Sequence, residues 1–159
     1  MVLGMTLPAF TRVHVALSLI GILAGIVVVL GMIRNMRLNR ITALFLIATV
    51  LTSVTGFFFP YHGVTPGIIL GILSLIALLI AILARHSFHM LGPWRSVYVV
   101  SSVVALFFNV FVLIVQTFLK TPALKGHSPT VVQVIALLLF IVLGYLAVKK
   151  FHPTPLPAA

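Results

Sequence analysis

Five long apolar stretches divide this chain and constrain its fold more than any other feature. They cover residues 13–33, 41–59, 66–84, 97–119 and 130–148, and none has a charged residue in its interior. A helix needs about 20 apolar residues to cross about 30 Å of hydrocarbon, so each stretch can span a bilayer. Short connections make sequential helices antiparallel neighbours. The sequence predicts an all-α, single-domain bundle of five transmembrane helices, with a proline-rich, extended tail over residues 151–159.

The composition supports lipid as the solvent. Of the 159 residues, 62% are hydrophobic and 6% are charged, too few for the polar surface of a soluble domain. Residues 1–12 lack the positive segment and small-residue cleavage site of a secretory signal, so the first stretch is expected to stay as a helix.

Acidic residues and cysteines are absent. This excludes the paired carboxylates of glycosidases, the acid of a catalytic triad, thiolate sites and carboxylate carriers of protons or sodium. Walker, Rossmann, HExxH and GxSxG motifs are missing too. We therefore expect no catalytic machinery.

The ten Lys and Arg residues give a net charge of +10 and predict an orientation. Seven lie at one set of helix ends and three at the other: Arg34, Arg37, Arg40, Arg85, Arg95, Lys149 and Lys150 against Arg12, Lys120 and Lys125. The positive-inside rule places the N-terminus outside and the C-terminus in the cytoplasm. The cations form no continuous patch, so nucleic-acid binding is not expected.

Basic residues at the predicted cytoplasmic end are candidate contacts for anionic lipid headgroups or the polar head of a quinone. They are Arg34, Arg37, Arg85, His86 and Arg95. His86 and His89 share one face if the third helix continues to Met90. A metal would need a third ligand, so zinc and iron sites are disfavoured. An anionic substrate or partner remains an alternative source of countercharge.

Histidines are the remaining candidate ligands for a cofactor. A b-type haem between two histidines needs both at one depth on facing helices. His14 lies one turn inside the first span, and His62 and His89 are its candidate partners. Haem b or a quinone is therefore a possible cofactor of the chain.

Small and polar residues form a stripe on each predicted helix, as expected of helix contacts in lipid. Gly21 and Gly25 make a GxxxG pair, and Gly67, Gly71 and Ser74 mark the third helix. Leucine at either Gly21 or Gly25 is expected to disrupt the bundle, and Val28→Leu to be mild.

The polar candidates for helix packing are Thr52, Ser102, Asn109 and Gln116, the last three at spacings of seven. A buried amide in lipid is costly without a partner. Asn109 is therefore expected to bond to Ser18, Thr52 or Ser53, or alternatively to line a cavity for a ligand.

Two segments also carry a resemblance: ALFLIATVLTSVTGFFFP, which ends at Pro60, and the later YVVSSVVALFFNVFVLIVQTF. They resemble a family of small, uncharacterised multi-span proteins of the bacterial inner membrane. The similarity extends from His14 to about Pro122, the first four spans, although the family's members contain acidic residues. It implies the topology and location and no activity.

Three functions remain open. The first is an accessory or structural subunit that packs against other integral membrane proteins. The second is a haem- or quinone-associated electron-transfer protein that uses His14 with His62 or His89. The third is a small-solute permease with Thr52, Asn109 and Gln116 in its path.

Overall fold

A computed structural model of the chain describes residues 1–60, 63, 65–124 and 126–154. It contains five long α-helices, α1 (Leu7–Ile33), α2 (Asn39–Gly56), α3 (Pro66–Ile82), α4 (Trp94–Lys120) and α5 (Thr130–Lys150). A π-helical turn, Leu83–Ser87, continues α3, and a short 3-10 turn, Pro122–Leu124, follows α4. No strand occurs in the described part. All five helices are long and apolar enough to cross a membrane, which confirms the predicted helical bundle and indicates an integral membrane protein.

The helix boundaries differ from the predicted spans mainly at α1 and α2. α1 begins six residues before the predicted span, because Thr6 Oγ1 accepts a hydrogen bond from the Ala9 amide and Pro8 suits the first turn. Its 27 residues give a length of about 40 Å, more than the hydrocarbon core requires. α2 ends at Gly56, three residues before the predicted end.

Consecutive helices pack against one another, as the short connections predicted. α1 contacts α2, α4 and α5, and α3 contacts α2 and α4, so the first four helices surround a common core and α5 packs on α1 and α4. Phe45, Tyr98 and Leu106 are at most 1% exposed within that core. Most of the large apolar side chains of α5 are exposed. Lipid covers such a face in a transmembrane bundle.

Gly21 and Gly25 of α1 lie against neighbouring helices, as predicted. A Cβ atom at Gly25 would lie 2.6 Å from Leu106 Cδ1 and 2.9 Å from the Phe45 ring. At Gly21 it would lie 2.9 Å from Thr49 Oγ1. Val28 is itself only 3% exposed, so Val28→Leu also adds volume to a filled site, contrary to the mild effect expected from the sequence.

The beginning of the tail is docked on the bundle. Phe151 is buried and packs against Tyr98, with 6.2 Å between ring centroids. The His152 amide donates a 2.8 Å hydrogen bond to Asn35 Oδ1 in the first connection. Residues 155–159 of the predicted extended tail lie outside the described residues.

Candidate functional site

A cavity of about 690 Å³ lies among α1, α2, α3 and α4. Along α4 its lining extends from Phe108 to Lys120, which is about 18 Å at the rise of an α-helix. The lining also includes Leu7 and Gly67, so the cavity occupies the end of the bundle at which α1 and α3 begin. Its volume falls within the range of small-molecule sites, about 300 to 1,000 Å³.

Small residues make room for this cavity. Gly56 of α2 and Gly67, Gly71 and Ser74 of α3 line it. A Cβ atom at Gly71 would lie 3.1 Å from Phe57 Cζ, and one at Gly56 would lie 3.8 Å from His14 Cε1. The small-residue stripe of α3, which the sequence indicated as a packing face, therefore forms a cavity wall.

Three hydrogen bonds between helices brace the walls. They join α1 to α2, α1 to α4 and α2 to α3: His14 Nδ1 with Thr55 Oγ1 (2.9 Å), Ser18 Oγ with Asn109 Oδ1 (2.7 Å) and Ser53 Oγ with Ser74 Oγ (3.2 Å). All but Thr55 of these residues line the cavity. The polar groups thus fix the relative positions of the four helices around the empty volume.

The hydrogen-bond partners of His14 define its tautomer. The Thr55 hydroxyl has one proton, which it donates to the carbonyl oxygen of Leu51 at 2.7 Å. Towards His14 it can therefore only accept, so Nδ1 carries the ring proton. In the neutral ring Nε2 is then an acceptor, and it has no hydrogen-bond partner within the described residues. His14 consequently brings a free acceptor to the cavity wall, beside the Phe59 ring at 5.1 Å.

Donors lie in the part of the lining formed by the last turns of α4. Gln116 and Lys120 project there with exposed side chains, whereas the Thr117 hydroxyl donates its proton to the Leu113 carbonyl oxygen at 2.8 Å. Lys120 has no side-chain carboxylate to pair with anywhere in the sequence. Phe57, Phe59 and Phe108 add aromatic surface to the lining. The arrangement is a mainly apolar site with a few polar groups, which is typical of pockets for amphipathic ligands.

The predicted polar packing residues behave differently from one another. Asn109 is 7% exposed and accepts the predicted hydrogen bond from Ser18, while it also lines the cavity. The hydroxyls of Thr52 and Ser102 are buried without a hydrogen-bond partner among the described residues. Gln116 is exposed at the cavity lining. Of the predicted seam, Ser102 and Asn109 are therefore buried, and Gln116 is exposed at the cavity.

The histidines proposed as haem ligands do not come together in the part of the chain described. His14 faces the cavity, whereas His89 follows the π-helical turn at the opposite end of the bundle. Along α1, the distance from His14 to that end is about 28 Å. A haem cannot bridge this pair. His62 lies outside the described residues.

The opposite end of the bundle contains the basic candidates. Arg34 and His86 are exposed, and Arg37 is half-buried. The helix does not continue to Met90: His89 has a φ of 49° and is exposed, so it shares no helical face with His86. The predicted histidine pair is therefore not formed.

Arg85 and Arg95, two of the residues predicted to contact lipid, donate hydrogen bonds to other groups of the chain. Arg95 donates hydrogen bonds to the carbonyl oxygens of Val148 (2.8 Å) and Phe151, where α5 ends. It therefore caps α5, as a cation at a helix C-terminus does. Arg85 is 6% exposed and donates to Asn39 Oδ1 at 2.6 Å and to the Tyr98 hydroxyl at 3.3 Å.

Arg37 lies beside this buried arginine. Burial lowers the pKa of Arg37 from its ordinary value, and the positive charge of Arg85 is the second cause of this lowering. The Nε atom of Arg37 is buried and has no hydrogen-bond partner among the described residues. Arg37 and Arg85 are therefore two positive charges near one another, in a sequence without side-chain carboxylates.

No group of three metal-ligating side chains occurs within the described residues. In comparisons with known proteins, no family model, curated protein or solved structure matches the chain.

Proposed function

We propose that this protein is a non-catalytic integral membrane protein that binds a quinone-like amphipathic molecule in the cavity among α1 to α4. The observation that carries the proposal is the acceptor His14 Nε2, which has no partner among the described residues and belongs to a side chain lining a mainly apolar cavity of about 690 Å³. A quinol head offers hydroxyl donors to such an acceptor. Its ring fits beside Phe57, Phe59 and Phe108, which line the same cavity.

The oxidised head group has complementary partners as well. Quinone carbonyl oxygens accept hydrogen bonds, and Gln116 and Lys120 supply donors in the lining. An apolar tail of the ligand would extend between the helices into lipid. The chain itself needs no redox centre for this role, which is that of an accessory subunit holding the molecule for a partner in the membrane.

A permease is less well supported than a binding protein. Beyond Asn109, the centre of the bundle is filled by Phe45 and Leu106, which are 0% and 1% exposed. Gly25 brings α1 against these same two side chains. The polar lining thus extends along one end of the bundle and stops at a packed core.

The location and orientation are part of the proposal. The resemblance of the first four spans supports the bacterial inner membrane, and the excess of cations at the Arg37 and Arg85 end supports a cytoplasmic position for that end. The cavity then opens towards the outer leaflet. Anionic phospholipids are the expected lipid partners of the basic end.

The test is thermal unfolding of the detergent-purified protein with a short-chain ubiquinone, such as decylubiquinone, in its oxidised and reduced forms. We expect the quinol to raise the melting temperature of the wild type. His14→Leu removes the acceptor and should abolish most of that rise. His86→Leu is the matched control, because His86 is exposed at the opposite end, and it should retain the full rise.

Equal stabilisation of both histidine variants by the quinol would contradict a site at His14. Absence of any stabilisation of the wild type by either form would contradict the quinone class. Mass spectrometry of molecules extracted from gently purified protein identifies the bound ligand independently. Partner subunits that purify with it in fixed proportion would support the accessory role.

A further inference from the structure

Arg85 is a buried cation whose partners are all neutral. It is 6% exposed, and its guanidinium donates to the amide oxygen of Asn39 and the hydroxyl of Tyr98. The guanidinium carbon also lies 5.3 Å from the centroid of the Tyr98 ring. These contacts satisfy individual donors and leave the full charge uncompensated. A buried charge without an opposite charge is strongly unfavourable, so a countercharge is needed.

The sequence contains no side-chain carboxylate that could supply it. Arg37 makes the imbalance larger, because it lies two residues before Asn39, adds a second positive charge near Arg85 and keeps a buried Nε without a partner among the described residues. The anion that neutralises this site must therefore come from outside the side chains of the protein.

The start of α2 adds backbone donors at the same place. Asn39, which binds Arg85, is the first residue of α2, and no side chain caps this helix. The first amides of a helix lack intrahelical acceptors and favour an anion. The start of α2 and Arg85 thus meet at Asn39, two residues after Arg37. The two arginines support an anion site independently of the helix terminus.

The chemistry of the site matches a phosphate group. Guanidinium groups bind phosphate oxygens through planar, bidentate hydrogen bonds, and helix N-termini bind phosphate through amides. Arg95 differs from Arg37 and Arg85. Its guanidinium donates to the carbonyl oxygens at the end of α5, so it needs no external anion.

We infer that Arg37, Arg85 and the beginning of α2 form a binding site for a phosphate group, supplied by an anionic phospholipid. The site lies at the ends of the spans, where headgroups lie in a bilayer. The rings of Phe88, after the π-helical turn, and Trp94, the first residue of α4, are stacked with 3.7 Å between their centroids. Aromatic side chains are typical of a membrane interface. The inference is independent of the quinone-binding proposal, because the two sites are at opposite ends of the bundle.

The test measures the binding of phosphatidylglycerol to delipidated protein by native mass spectrometry, with phosphatidylcholine and inorganic phosphate as separate probes. Arg37→Gln and Arg85→Gln each remove one charge from the site. Lys150→Gln is the matched control, since it removes one charge from an exposed residue at the same end. We expect at least about a tenfold loss of phosphatidylglycerol affinity in the arginine variants, the equivalent of one lost charge-assisted hydrogen bond, and little change in the control.

The outcomes separate the sources of the phosphate. Binding of inorganic phosphate with the same dependence on Arg37, and weak binding of phosphatidylglycerol, supports the site with a free anion as its ligand. If Arg37→Gln binds phosphatidylglycerol and inorganic phosphate as well as Lys150→Gln does, the inferred phosphate site is wrong. If both arginine variants lose a co-purifying protein and bind phosphate as before, the phosphate site is also wrong. The countercharge would then be a carboxylate of that partner protein. Arg37 is half-buried, so Arg37→Gln decides the matter even where Arg85→Gln fails to fold.

Discussion

Asn109 shows how one polar residue in a membrane span serves two purposes. Its Oδ1 accepts from Ser18 at 2.7 Å, which joins α4 to α1, and the same residue forms the inner limit of the cavity. The packing and cavity hypotheses for this residue are therefore compatible. Its amide nitrogen makes only a long contact, 3.5 Å, with the Ser18 carbonyl oxygen, which leaves that donor weakly engaged.

A double-mutant cycle measures the packing contribution of this residue. Asn109→Leu and Ser18→Ala should each lower the free energy of unfolding, and the double variant should lose less than their sum. The coupling energy should be about 0.6 kcal/mol and at most about 1.7 kcal/mol, the range for hydrogen bonds between membrane helices. Unfolding in mixed micelles provides the measurement. Strictly additive losses would show that the 2.7 Å hydrogen bond contributes nothing to stability.

The partner of Asn109 could be predicted from the sequence, but the cavity could not. An amide in hydrocarbon needs a polar neighbour, and few hydroxyls lie at its depth, so Ser18 was one of three candidates. The free acceptor of His14 depends on Thr55, whose hydroxyl is directed to its own helix backbone. That direction is a property of the folded helix pair, and residue spacing does not contain it.

At the scale of the helices, the same small residues perform opposite tasks. Gly21 and Gly25 bring α1 into contact with α2 and α4, whereas Gly67 and Gly71 line the cavity, where Gly71 makes room for the Phe57 ring. Spacing of four places each pair on one helix face, and this much the sequence predicts. Whether a facing helix approaches or stands back depends on all four helices together. The sequence therefore identified the helices and their small faces without distinguishing contact from cavity.

Leucine at position 25 should destabilise the bundle through overpacking. The added side chain meets Leu106 and Phe45 at distances already below 3.0 Å for a single Cβ atom. Overpacking of this kind costs about 1 to 3 kcal/mol. The control is Leu23→Ile, because Leu23 is 65% exposed and its apolar surface is unchanged. Equal melting temperatures of Gly25→Leu and Leu23→Ile in detergent would contradict this close approach.

The whole molecule has a chemically different site at each end. One end holds the apolar cavity with His14 and Lys120, and the other holds the guanidinium pair of Arg37 and Arg85. Antiparallel succession of five helices puts every second connection on the same side, which is why counting cations along the sequence separated the two ends. The burial of Arg85 was not predictable from that count, because it depends on Asn39 and Tyr98, which lie on two other helices.

The last prediction concerns the orientation of these ends across the membrane. Seven of the ten Lys and Arg residues lie at the Arg85 end, so that end should be cytoplasmic. Because the chain has no cysteine, single cysteines report each side: Met36→Cys at the basic end and Ala123→Cys at the cavity end, both at exposed positions. Asn39 is unsuitable as a reporter, since it binds Arg85. An impermeant thiol reagent applied to intact cells should label Cys at position 123 and spare position 36, and both should react after the membrane is opened. The reverse labelling pattern would place the phosphate site outside and the cavity towards the cytoplasm.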